Sequence, residues 1–148
     1  MKKLLRNILP WVDIDKKIFK RYRKSRFFYK NGLKQIAKYI SYRIYIKFNC
    51  IIPPESNIHD TVKLPHPTGI VIGEGVKIGK QTVIYQNVTI GRKYKDVSKY
   101  PSIGNNVTIY ANSTIIGDVK IGDNAIIGCN SVVLRNVEPG EKVSGIVK

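Results

Sequence analysis

Cysteine, histidine, acidic residues and long apolar runs are all scarce in this 148-residue chain. The two cysteines, Cys50 and Cys129, make no disulfide framework, and their spacing suits no metal site. No run approaches the ~20 apolar residues needed to span a bilayer. Near the N-terminus Arg6, Asn7 and Pro10 interrupt any apolar core, which argues against a signal peptide. The expected compartment is the cytoplasm. Only two histidines are present, His59 and His66, so candidates for proton transfer near neutral pH are few.

Acidic residues number 10 against 26 Lys/Arg, a net charge of +16. The excess is local. Residues 1–50 hold 15 Lys/Arg against Asp13 and Asp15, whereas residues 51–148 hold 11 against 8 acids. The chain therefore divides into a basic arm, 1–50, and a nearly balanced body, 51–148. In the arm, Ile14, Ile18 and Tyr22 fall on one helical face and Leu33, Ile36, Ala37, Ile40, Ile44 and Phe48 on another. Asn31-Gly32 marks a break between two helices. Three readings fit this segment: a helical cap on the body, a basic amphipathic surface for an anionic membrane or a lipid-linked phosphate substrate, and a nucleic-acid surface. Basic charge with aromatics is compatible with the last, but no recognition-helix, zinc or RNA-binding signature accompanies it, so no nucleic-acid partner is expected.

The body keeps a beat. A bulky aliphatic residue stands at Ile58, Leu64, Ile72, Ile78, Ile84 and Ile90, and again at Ile103, Ile109, Ile115, Ile121, Ile127 and Val133, ten of the twelve being Ile. Four residues after each position comes a small or β-branched side chain, among them Val62, Thr68, Val76, Thr82, Val107, Ser113 and Ala125. Two aligned columns at a period of six form an internal repeat. That period suits no helix. It suits coils of three short strands stacked at β spacing, an all-β prism of about four coils roughly 19 Å tall. Glycines such as Gly73, Gly79, Gly104 and Gly122 and asparagines such as Asn87, Asn106 and Asn124 are expected at corners that need unusual backbone angles. So thin a prism leaves partly apolar outer faces for self-association.

The beat stumbles twice, at Pro65 to Val71 and at Arg92 to Ser102. His66 sits at the first stumble, and its flanking prolines fix the local backbone. A lone histidine in such a turn is more often structural than catalytic. His59 lies in an ordinary corner and reads as a surface residue. The second break, loop 92–102, reads as a loop projecting from the stack, whose Arg92, Lys93 and Lys95 suit phosphates or an anionic acceptor.

The motifs His66-Pro67-Thr68-Gly69-Ile70-Val71-Ile72-Gly73-Glu74, Gln86 to Gly91, Tyr100-Pro101-Ser102-Ile103-Gly104 and Gly128 to Val133 resemble the hexapeptide-repeat acyltransferases, on their serine acetyltransferase branch. The resemblance implies a left-handed parallel β-helix with a short α-helical N-terminal segment, an acetyl-CoA co-substrate and no metal. It also implies a homotrimer with sites between subunits. His66 then falls at the general base. Gly91, Ala111 and Ile126 match corner contacts to the cofactor, with Lys142 or Lys148 toward its 3′-phosphate. Tyr85, Arg92, Lys93 and Tyr100 fall on the acceptor side. The family's Asp before the histidine is here Pro65, an Asp fifteen residues earlier is Ile51, and a loop histidine is Tyr100. The family's Gly-x-Pro-Ala ending is replaced by Gly145-Ile146-Val147-Lys148. Loss of carboxylates that would hold an amino group points to a different acceptor. The variant Leu64-Pro65-His66-Pro67-Thr68-Gly69 resembles the members that O-acetylate sugars of surface polysaccharides, which implies a sugar hydroxyl of such a polysaccharide or its precursor. L-serine is the alternative acceptor, and a non-catalytic β-helix binding protein is a further one.

Overall fold

The computed structural model describes residues 14–94 and 99–148. Lys95 and residues 1–13 of the arm lie outside the described residues. Two helices open the described chain, α1 (Ile14–Lys30) and α2 (Lys34–Phe48), separated at Asn31-Gly32, where Gly32 adopts φ 80°. Ile18, Phe19, Tyr22 and Ser25 are the buried residues of α1, and Ala37 and Ile44 those of α2. The inward face of α2 is narrower than the hydrophobic spacing predicts. Leu33 and Ile36 are exposed, because α1 and the first coil cover only the Ala37–Ile44 stripe.

Among the described residues, thirteen short parallel strands follow in three sheets. The first stacks β1 (Asn57–Ile58), β3 (Lys77–Ile78), β6 (Ser102–Ile103) and β9 (Lys120–Ile121). The second stacks β4 (Val83–Ile84), β7 (Thr108–Ile109), β10 (Ile126–Ile127) and β12 (Lys142–Val143). The third stacks β2 (Val71–Ile72), β5 (Thr89–Gly91), β8 (Thr114–Ile116), β11 (Val132–Val133) and β13 (Ile146–Val147). Successive strands belong to different sheets, and Val71 pairs with Thr89 eighteen residues on. Three hexads therefore close one coil. The prism is taller than the four coils expected from the repeat, because pairing continues into β12 and β13 and starts earlier, at the bridge from Ile51 to Val71.

All twelve members of the aliphatic column are buried, none above 6 % exposed. Each is worth about 1.5–3 kcal/mol on transfer from water, so a one-residue slip of register is heavily penalised. In the companion column Thr68 departs from expectation and is exposed. Ile70 takes the inward place, fully buried, in register with Val88 through the neighbouring pair Val71 and Thr89.

The corners also divide their labour differently from the expectation. Asn87, Asn112 and Asn130 carry φ 57°, 62° and 56°, and Gln81, Asn106 and Asn124 carry 56°, 54° and 61°. Gly73, Gly79, Gly104 and Gly122 are not among the positive-φ residues. What those glycines supply is room. A Cβ on Gly122 would collide with the backbone nitrogen of Pro139 in the coil that stacks on it. Asparagine takes the left-handed conformation at modest cost, while glycine permits coils to stack closely.

Candidate functional site

His66 owes its place to a corner that is two residues too long. Lys63 bridges to Val83 twenty residues on, where the next coil closes in eighteen. The extra length makes the corner Pro65-His66-Pro67-Thr68-Gly69. It is tied down at three points: Thr68 N–H donates to the His66 carbonyl (2.8 Å), Gly69 N–H to the Asn49 carbonyl (2.9 Å), and the buried Cys50 thiol to the Pro67 carbonyl (2.7 Å). The corner is thus held by its carbonyls and amides, and the imidazole is left exposed.

The imidazole borders a cleft of about 590 Å³ between this corner and the end of α2, lined by Ile14, Ile46, Lys47, Phe48, Asn49, Pro65, Pro67 and Thr68. No hydrogen bond or ion pair is made by the His66 ring among the described residues. Its neighbour is Tyr85, with ring centroids 6.2 Å apart. Tyr85 stacks in turn on Tyr110 at 5.2 Å and 14°. Tyr110 escaped the sequence reading, although the signal was there: each tyrosine directly follows a column isoleucine, Ile84 and Ile109. The cleft wall from α2 left no such signal, since it depends on how the helices dock. His59 is accounted for locally, its Nδ1 lying 3.0 Å from Thr61 Oγ1.

The remaining expected residues gather elsewhere. Gly91, Arg92 and Tyr100 line one groove of about 360 Å³, together with Ile51, Gly73 and Glu74. Tyr100 does not project from the stack as expected. Its ring is half-buried over Gly73 and Gly75, and Arg92 stands over it at 5.7 Å. The loop's exit is further fixed by a 2.7 Å ion pair from Lys99 to Asp118, and Asp118 accordingly holds the Lys99 pKa above its ordinary value. Lys93 lies over Tyr94 at 5.3 Å. Ala111 follows Tyr110 in the corner between β7 and β8, Ile126 stands on β10, Lys142 on β12, and Lys148 directly follows β13. Within one chain none of these positions lines the His66 cleft. Ile51, where the resemblance expects an orienting carboxylate, is exposed in the Gly91 groove and forms no wall of the His66 cleft. Among the described residues no cluster of His, Cys, Asp and Glu could hold a metal ion.

Residues 100–135 match the bacterial transferase hexapeptide family (six repeats). The serine acetyltransferase of Buchnera aphidicola subsp. Acyrthosiphon pisum is 39 % identical over 127 residues, 84 % of this chain and 46 % of that protein. A solved Neisseria gonorrhoeae serine acetyltransferase in complex with serine superposes with a TM-score of 0.80 at 32 % identity, covering 85 % of this chain and 52 % of that one. A serine acetyltransferase in complex with CoA gives 0.82 at 31 %, covering 86 % and 53 %. The coils and their period define a hexapeptide-repeat protein, and the solved structures on which it superposes make its fold the left-handed parallel β-helix. Within that class the chain is similar to the serine acetyltransferases over most of its own length. It spans about half the length of the relatives it matches.

Proposed function

We propose that the protein is an acetyl-CoA-dependent O-acetyltransferase with His66 as its general base. The observation that carries this reading is an exposed imidazole on an enlarged, tethered corner, at the mouth of a cleft and without a hydrogen-bonding partner among the described residues. In this reading His66 takes the proton of the acceptor hydroxyl as its oxygen attacks the thioester carbonyl. The carbon–sulfur bond then breaks, and the imidazolium returns the proton to the departing thiolate. Tyr85 would pack the ring from one side and bound its rotation. The Gly91–Arg92–Tyr100 groove lies apart from His66 within one chain, which supports a homotrimer whose sites form where one prism's His66 corner meets the next prism's groove. Gly91, Ala111, Ile126, Lys142 and Lys148 would then hold the co-substrate, and Arg92, Lys93 and Tyr100 the acceptor. Dependence on acetyl-CoA favours a reaction in the cytoplasm.

The named relatives support L-serine as the acceptor. A second reading, a glycan hydroxyl, is favoured by one observation: among the described residues no carboxylate lines the His66 cleft to receive an ammonium group. Thiol release from acetyl-CoA, measured with L-serine and with a panel of sugars, separates the two acceptors. His66→Ala should lower turnover by roughly 10²–10⁴-fold on the true acceptor. An unchanged rate would remove His66 from the chemistry, and no thiol release with any acceptor would favour a non-catalytic β-helix protein.

A further inference from the structure

Helix α2 is apolar on two opposite sides. Ala37 and Ile44 face inward and are fully buried. Opposite them stand Tyr39, Tyr42 and Ile46, exposed by 58, 56 and 59 %, with Ile36, exposed by 45 %, to one side. At 100° per residue Tyr39, Tyr42 and Ile46 share one outward stripe, with Ile36 and Arg43 on one flank and Lys38 and Tyr45 on the other. An aromatic-aliphatic stripe of this kind on a solvated helix needs a partner.

Charge decides which. From residue 14 to residue 48 there are twelve Lys/Arg and a single acid, Asp15. A second copy of the same helix would bring like charges together, whereas an anionic surface is complementary. Tyrosines flanked by lysine and arginine stems are also what the boundary between headgroups and acyl chains accommodates, ring at the boundary and charge in the headgroup layer. No helix among the described residues is long and apolar enough to cross a membrane, so the contact would be peripheral.

We infer that the outward face of α2 docks the protein on an anionic lipid bilayer, with Tyr39, Tyr42 and Ile46 entering the interface and the surrounding lysines and arginines engaging lipid phosphates. Ile46 also lines the His66 cleft. Docking through this stripe therefore sets the cleft beside the headgroups, where a lipid-borne acceptor would be presented.

The test is flotation of the full chain with vesicles of phosphatidylcholine alone or with roughly a quarter phosphatidylglycerol. Binding is expected only to the anionic vesicles, weakening as salt rises from about 0.1 to about 0.5 M. Tyr39→Glu with Tyr42→Glu should lower partitioning at least ~10-fold. Lys77→Ala with Lys120→Ala removes the same amount of charge from the first sheet and should lower it less than ~2-fold. If the glutamate pair does not fold, Tyr39→Ser with Tyr42→Ser reads the same surface. Equal loss in the lysine pair would show diffuse attraction and overturn the proposal, as would no binding to anionic vesicles. A tyrosine variant that changes the sedimenting mass but leaves vesicle binding intact would make the stripe an interface between copies, which also overturns it. The readout needs no acetyl transfer, so its failure is distinguishable from failure of the proposed activity.

Discussion

Cys50 shows how one side chain joins the arm to the candidate site. It follows Asn49, the left-handed cap of α2 at φ 52°, is fully buried, and donates its thiol proton to the Pro67 carbonyl beside His66. Burial pushes its pKa from 9.0 up to about 11, partly offset by a backbone hydrogen bond involving Ile70. The native state thus keeps the thiol proton where the unfolded chain has lost it. That contribution is fully present below about pH 9 and is lost as pH rises toward 11. Comparing urea midpoints of the wild type and Cys50→Ala cancels the tyrosines and lysines titrating in the same range. The wild type's advantage should shrink by about 2 kcal/mol across that window. A thiol reagent at neutral pH should titrate the exposed Cys129 quickly and Cys50 only on unfolding. Equal rates for the two would show that the Pro67 contact does not persist in solution.

At the scale of elements, the sequence made the inward column legible because its signal is local and repeated: every third of a coil must bury one aliphatic side chain. The extra residues around His66 were legible for the same reason, as a lapse in the period. What was not legible depends on contacts across coils. Ile70 displaces Thr68 from the core only because a five-residue corner must still meet the Val88 level. The register makes Asn49 the first rung of a left-handed corner column that continues through Gly69, Asn87, Asn112 and Asn130, so the end of α2 is built into the prism. Tyr100 is another such case. Its ring lies where a Cβ on Gly75 would collide with it, which holds the exit of loop 92–102 against the corner before β3 in the preceding coil. Gly75→Ala should therefore destabilise the fold by about 1–3 kcal/mol through overpacking. Added to Tyr100→Ala, the same substitution should cost less than ~0.5 kcal/mol. A double-mutant cycle by urea unfolding checks this, and additive costs would place the ring elsewhere.

Over the whole molecule, helices and prism are joined by polar contacts set into an apolar seam, and their number argues for one cooperative unit. Tyr22 is buried among Ile18, Ile44 and Ile52 in the shared core. Its hydroxyl donates to the Ser56 carbonyl at 2.7 Å and accepts the Ile58 N–H at 3.1 Å, so it satisfies the first strand from the side of α1. Arg26 reaches the Pro54 and Ser56 carbonyls and donates to Asn57 Oδ1 at 2.9 Å. Ser41 donates to the Ile52 carbonyl at 3.1 Å. Tyr22→Phe retains the ring and deletes only the hydroxyl, leaving a buried strand N–H without its acceptor, while Arg26 still serves the Ser56 carbonyl. The expected cost is about 1–3 kcal/mol. Because the seam is shared, that cost should appear as one earlier transition, with helix and tertiary signals still coincident in circular dichroism. If the helices were only tethered to the prism, the helical signal would melt first and the sheet transition would stay where it was. That outcome would also remove the wall of the His66 cleft that α2 contributes, so the same melt reports on the integrity of the candidate site.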